Sequence, residues 1–131
     1  MKKVGLFILV LVLVFFITIS VYADDKGKFA VAAEGKTVAS EVSGVAARSP
    51  YFLIFDLEGK FLEALDNPYK TAGRGAGFSV VPFLAQKEVT FVVAGQFGEK
   101  MIRAMKGNSI DYLEFHGSAE AALEKVLELR K

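Results

Sequence analysis

Cysteine and tryptophan are absent from the 131 residues, histidine occurs once, and proline occurs three times. Without thiolates, cysteine-ligated zinc and iron-sulfur sites are excluded, and no disulfide can stand in for a hydrophobic core. The lone imidazole, His116, makes a weak metal site by itself, and any nucleophilic serine would have to find it as its base. An excess of one charge is missing too: 16 basic residues face 15 acidic ones. That balance gives no electrostatic reason to expect nucleic acid or an anionic membrane surface as a partner.

What is present begins with one long apolar run. Lys2 and Lys3 precede Val4–Ile17, which carries no charge, and Val21 and Ala23 stand at the −3 and −1 positions of a signal-peptidase site before Asp24. Residues 1–23 therefore read as a secretory signal peptide helix. The alternative is an uncleaved anchor, because Val4–Ala23 is 20 uncharged residues, about 30 Å as a helix and enough to span a bilayer. The expected domain is 24–131, exported to a periplasmic or extracellular location, and bound to a membrane only if the leader is retained. Its charge, with Lys2 and Lys3 removed, is 14 basic against 15 acidic residues.

Within that domain the chain is organised around Val89–Lys106. Val89–Ala94 is a strand former without polar alternation, the pattern of a strand covered on both faces, and it is expected to be the central strand. Gly95, Gln96, Phe97 and Gly98 form the turn that follows. Phe97, Met101, Ile102 and Met105 then make one helical stripe, with Gly107 as the left-handed residue that ends it. Met101 and Met105 on that stripe read as core. Upstream, Lys28–Ala33 is the first strand, 36–50 a loop with room for one helical turn, and Tyr51–Asp66 a hairpin turning at Glu58 and Gly59. A glycine-rich loop, 70–77, leads to a helix starting at Gly77–Ser79 or kinked by Pro82. Ile110–Phe115 is the last strand. Ser118 caps a closing helix on which Ala119, Ala122, Leu123, Val126 and Leu127 share a face. A hairpin-fed mixed five-stranded sheet with three helices on its faces predicts an α/β, ribonuclease H-like three-layer domain.

The segments KFAVAAEGK at 28–36, SEVS at 40–43, RSPYFLIFD at 48–56, NPY at 67–69, GAG at 75–77 and VVAGQFGEK at 92–100 together resemble the dinitrogenase iron-molybdenum cofactor-binding domain. That is the family of NifX, NafY and the C-terminal part of NifB, and the likeness runs from about Lys28 to Leu127. The resemblance implies a ribonuclease H-like domain that binds or carries an iron-molybdenum or other iron-sulfur cluster without catalysing a reaction. In the family a histidine precedes the hairpin as the suspected cluster ligand; here Val45 stands at that position, and valine cannot ligate a metal.

Ligands in such domains collect beyond the carboxyl ends of the strands, where helix N-termini direct backbone N–H groups outward. The cofactor-binding set expected there is Arg48, Arg74, Gly75, Gly77, Gly95, Gln96, Phe97 and Gly98, with His116 as the metal candidate. Arg74 and the surrounding glycines could cradle molybdate, sulfate or phosphate, or could be a plain flexible connection. Ser40 and Ser43 are expected as neighbours. Glu34 and Asp56 are the nearest approach to a carboxylate pair, but Phe29–Ala33 holds no acid, so metal-dependent nuclease chemistry is not expected. No catalytic residue is assigned. The partners implied are a metal cluster or small anion and a possible protein partner. The alternative function is an interaction module that kept the fold and lost metal binding.

Overall fold

A computed structural model describes residues 27–131, so the signal peptide expected at 1–23 lies outside the described residues. Five strands and three helices follow in order: β1 (Lys28–Ala33), β2 (Tyr51–Phe55), β3 (Phe61–Asp66), α1 (Ala76–Gln86), β4 (Val89–Ala94), α2 (Glu99–Gly107), β5 (Asp111–Glu114) and α3 (Ala119–Leu129). A 3-10 turn, Ala46–Arg48, sits in the β1–β2 loop. The strands form one mixed sheet in the order β3-β2-β1-β4-β5. β2 pairs antiparallel with both β1 and β3, whereas β1–β4 and β4–β5 are parallel, so β2 alone runs against the others.

Alternation along the strands divides the core into two layers. Ala30 and Ala32 of β1, Phe52 and Ile54 of β2, and Val92 and Ala94 of β4 face α1 and α2. Phe29, Val31 and Ala33, with Leu53, Phe55 and Val93, face α3. On the first face Met101 and Met105 fill the space between the sheet and the helices with flexible side chains, each 1% exposed. Burying Phe52 completely contributes about 2–3 kcal/mol from water exclusion.

Several expectations need correction. β1, not β4, is the middle strand; β4 lies one place toward the edge, between β1 and β5. A continuous apolar run marks a strand covered on both faces, and this sheet has three, in β1, β2 and β4. Gly107 is the last residue of α2, and the left-handed residue is Ser109, φ 55°. Asn108 ends the helix by donating its side-chain N–H to the Ala104 carbonyl at 2.8 Å. α1 starts at Ala76, one residue before the expected window, and contains Pro82 in its interior. The proline is tolerated because Pro82 and Phe78 are both exposed, leaving the Phe78 carbonyl that Pro82 cannot serve on the solvent side.

Candidate functional site

The carboxyl ends of β1 and β4 are bridged by the loop that follows β1. Ser43 donates its N–H to the Ala32 carbonyl at 2.8 Å, and the Ser43 carbonyl accepts from the Gly95 N–H at 2.8 Å. This fastening requires glycine at 95, where a Cβ would stand 2.9 Å from the Gly44 Cα and 3.1 Å from its carbonyl oxygen. The Ala46 N–H then donates to the Gln96 carbonyl at 3.0 Å, and the chain turns through Ala46–Arg48.

Two side chains lock that turn in place. Asn67, 2% exposed, donates to the Ala47 and Ser49 carbonyls at 3.0 and 2.9 Å and accepts from the Tyr69 N–H at 2.9 Å. Arg48 reaches the other way, donating to the Ala72 carbonyl at 2.6 Å and the Gly73 carbonyl at 3.3 Å. The 3-10 turn, the end of β3 and the glycine-rich loop are thereby one unit.

Against this unit lie the starts of α1 and α2. The contact is close, since a Cβ on Gly77 would come within 3.0 Å of Met101 Cβ and 3.2 Å of its backbone nitrogen. Between them opens a groove of about 440 Å³, lined by Val45, Ala47, Arg48, residues 75–77 and residues 98–101. Two helix N-termini thus face one cavity, each carrying roughly half a positive charge on free N–H groups.

The treatment of the third helix sharpens the contrast. At the start of α3 the Ser118 hydroxyl accepts from the Ala121 N–H, and the Ser40 and Val38 carbonyls accept from the Ala119 and Glu120 N–H groups. α1 and α2 begin at Gly75 and Gly98 with no side-chain cap. Among the described residues, none of the amides of Ala76, Gly77, Glu99 or Lys100 finds such a partner. These donors, the remaining N–H groups of Arg48 and the ammonium of Lys100 suit an anion with several acceptor atoms. Glu99 is the one carboxylate in the groove and leans back to Arg103 at 3.8 Å.

The structure brings Arg48, Gly75, Gly77 and Gly98 together in the groove. Gly95 and Gln96 lie behind it, with the Gly95 N–H and the Gln96 carbonyl already engaged by the loop. Phe97 is 5% exposed and packs in the core, its ring 4.9 Å from that of Tyr112. Arg74 is exposed on the glycine-rich loop and does not line the groove. His116 is exposed beyond β5 and does not line it either. Ser43 donates to the Glu34 carboxylate at 3.1 Å. Glu34 and Asp56 form no pair, for they follow antiparallel neighbours and stand at opposite ends of the sheet. Asp56 instead accepts from the Glu58 and Lys60 N–H groups and shapes the hairpin turn. Lys100 was missed, although its place two residues after a glycine helix start is legible in the sequence.

For a metal-sulfur cluster the fit is partial. No group of three or more histidine, cysteine or carboxylate side chains that could hold a metal ion occurs among the described residues. The groove therefore offers N–H and cationic donors to an anionic surface rather than a set of ligands to iron.

Fold and groove together define a small α/β domain with a groove between the starts of two helices, lined largely by their first backbone amides. The family model for dinitrogenase iron-molybdenum cofactor matches residues 27–129, and the chain belongs to this family. Among solved structures it is similar to a Thermotoga protein described as NifB, with 29% identity, TM-score 0.68, and coverage of 79% of this chain and 90% of that one. It is similar also to the apo form of the orange protein from Desulfovibrio gigas, with 25% identity, TM-score 0.71, and coverage of 82% and 92%. A dinitrogenase-related protein from Methanocaldococcus jannaschii, 13% identical with TM-score 0.52 over 80% of this chain and 91% of that one, shares the fold. No curated protein is significantly similar.

Proposed function

We propose that this domain binds and carries an anionic metal-sulfur cluster, or a related oxyanion, in the groove between α1 and α2, without converting it chemically. The observation that carries this reading is the meeting of two uncapped helix starts with Arg48 and Lys100 at one cavity. Family membership supports the cargo as a relative of the iron-molybdenum cofactor. Holding such a cargo through its anionic surface asks nothing of cysteine and is compatible with release to an acceptor. The ribonuclease H-like assignment is supported by the strand order and the single reversed strand. Export is supported by the charged start, apolar run and small residues at Val21 and Ala23.

A second reading has its own observation. Val45 lines the groove with 49% of its surface exposed, an aliphatic side chain where the family resemblance implies a ligand. That favours an interaction module that retained the fold and lost metal binding. The two are separated by purifying the full-length protein without oxygen, measuring iron, molybdenum and sulfide, and titrating the protein with tetrathiomolybdate and with molybdate. The carrier reading expects bound metal or thermal stabilisation by one of the anions. It also expects Lys100→Glu to weaken binding by roughly tenfold through reversal of one partly screened charge. Metal-free protein that neither anion stabilises refutes the carrier reading and leaves the interaction module.

A further inference from the structure

Arg74 is exposed on the glycine-rich loop, and its guanidinium makes no hydrogen bond or ion pair among the described residues. Its backbone is equally free. Among the described residues neither the Arg74 N–H, the Arg74 carbonyl nor the Gly75 N–H finds a backbone partner. On either side the chain is fixed. Upstream, Arg48 holds the Ala72 and Gly73 carbonyls. Downstream, the Gly75 carbonyl accepts from the Phe78 and Ser79 N–H groups and α1 begins.

Two glycines flank this one unheld residue. A Cβ on Gly73 or on Gly75 would meet nothing within 4 Å, so crowding demands glycine at neither position. Gly75 needs it for a left-handed backbone, φ 92°, whereas Gly73 has no positive φ to accommodate. What glycine supplies at 73 is a soft pair of dihedral angles next to an arginine. That arginine also stands at the lip of the groove. Gly75, about 3.8 Å farther along the chain, lines the cavity, and the free amides of Ala76 and Gly77 come directly after it. Lys70, the other cation of the loop, lies beyond the Arg48 grip, with its N–H donated to the Asn67 carbonyl.

We propose that Arg74 is a latch: when an anion occupies the α1–α2 groove, the peptide units between Gly73 and Gly75 rotate and carry the guanidinium over it. The inference rests on the reading of that groove as an anion site and adds a moving part to it. In the empty groove nothing draws the arginine out of water, because the one carboxylate there, Glu99, leans back to Arg103. An anion on the Ala76 and Gly77 amides supplies the missing partner, and a guanidinium meets it with two N–H groups at once. Arg48 stays in place, since its hold on Ala72 and Gly73 is the fixed end about which the rotation occurs.

The test uses the full-length protein, tetrathiomolybdate and molybdate as separate probes, binding kinetics, and trypsin, which cuts after lysine and arginine. In Arg74→Ala the dissociation rate of the bound probe should rise roughly tenfold, through loss of one charge-assisted contact. Its association rate should stay within about twofold of the parent's, because closure follows encounter. Arg74→Lys, which keeps the charge and loses the fork, should recover part of the difference. Without probe, the melting temperature of Arg74→Ala should match the parent's, since the side chain has no partner to lose. Bound probe should slow tryptic cleavage after Arg74 roughly tenfold, as the open form becomes scarce, and leave cleavage after Lys70 unchanged. A probe that leaves the parent and Arg74→Ala at the same rate, or that protects Lys70 and Arg74 alike, would overturn the latch while the groove reading stands. A change confined to the association rate would do the same, by making Arg74 a steering charge. Parent protein that binds neither probe would overturn groove and latch together.

Discussion

Gly95 and Gly98 lie in one turn, three residues apart, yet replacing them should have opposite consequences. At Gly95 a methyl group would meet the Gly44 Cα at 2.9 Å, the Gly44 carbonyl at 3.1 Å and the Ser43 carbonyl at 3.2 Å, all of them backbone atoms. That backbone cannot swing aside, because hydrogen bonds from Ser43 to Ala32 and from Ala46 to Gln96 hold it on either side of Gly44. Forcing it away costs about 1–3 kcal/mol as overpacking. Stretching the Gly95–Ser43 hydrogen bond adds about 0.5–1.5 kcal/mol. Gly95→Ala should therefore lose roughly 2–4 kcal/mol, a large part of the about 5–15 kcal/mol that stabilises a typical domain. For a domain near 100 residues this corresponds to a fall in melting temperature of roughly 10–20 °C. Gly98 has open space around its Cβ position and an extended N-cap conformation, φ −73° and ψ 154°. Gly98→Ser should hold stability within a few tenths of a kcal/mol or raise it slightly. Thermal melts followed by circular dichroism, with urea titration for the free energies, decide between them. If Gly95→Ala melts within about 3 °C of the parent, the loop yields and the account of a pinned groove wall is wrong.

Three further outcomes are expected. Asn67→Ala should cost about 2–3 kcal/mol by urea unfolding, because it strands the Ala47 and Ser49 carbonyls and the Tyr69 N–H. Asn67→Asp should cost at least as much, since it sets an acceptor against two carbonyls; a neutral result for Asp contradicts the hub. Val45→His should increase the thermal stabilisation given by tetrathiomolybdate, measured by melting curves, if position 45 is the place where the groove lost its ligand. Ser118→Ala should cost about 1 kcal/mol as a lost cap, with no effect on anion binding in the groove, because the start of α3 lies against the Val38 and Ser40 carbonyls and not in the groove.

The legible part of the fold was the part written in local pattern. β1 and β4 occupy Lys28–Ala33 and Val89–Ala94 as their apolar runs indicate, and Ser118 caps α3 as its spacing predicts. What stayed hidden depends on residues far apart in the chain. Strand order decides which apolar run is central, and no run of side chains carries that information by itself. Gly107 looked like the left-handed residue because glycine adopts that conformation most readily, yet Asn108 ends the helix through its own side chain and passes the left-handed residue to Ser109. The sequence placed Arg48 near the site without showing that two of its guanidinium N–H groups are taken by carbonyls 24 and 25 residues away. Phe97 was legible as part of the α2 stripe, and that same membership removes it from the groove.

The described chain enters at Gly27, beside Thr90 and Leu57, at the amino end of β1, whereas the groove opens past the carboxyl ends of β1 and β4. Six residues of strand, about 20 Å, separate the two poles. A tether attached ahead of Gly27, whether a bead or a fused reporter, would therefore hold the domain at the pole opposite the groove and leave its opening unobstructed.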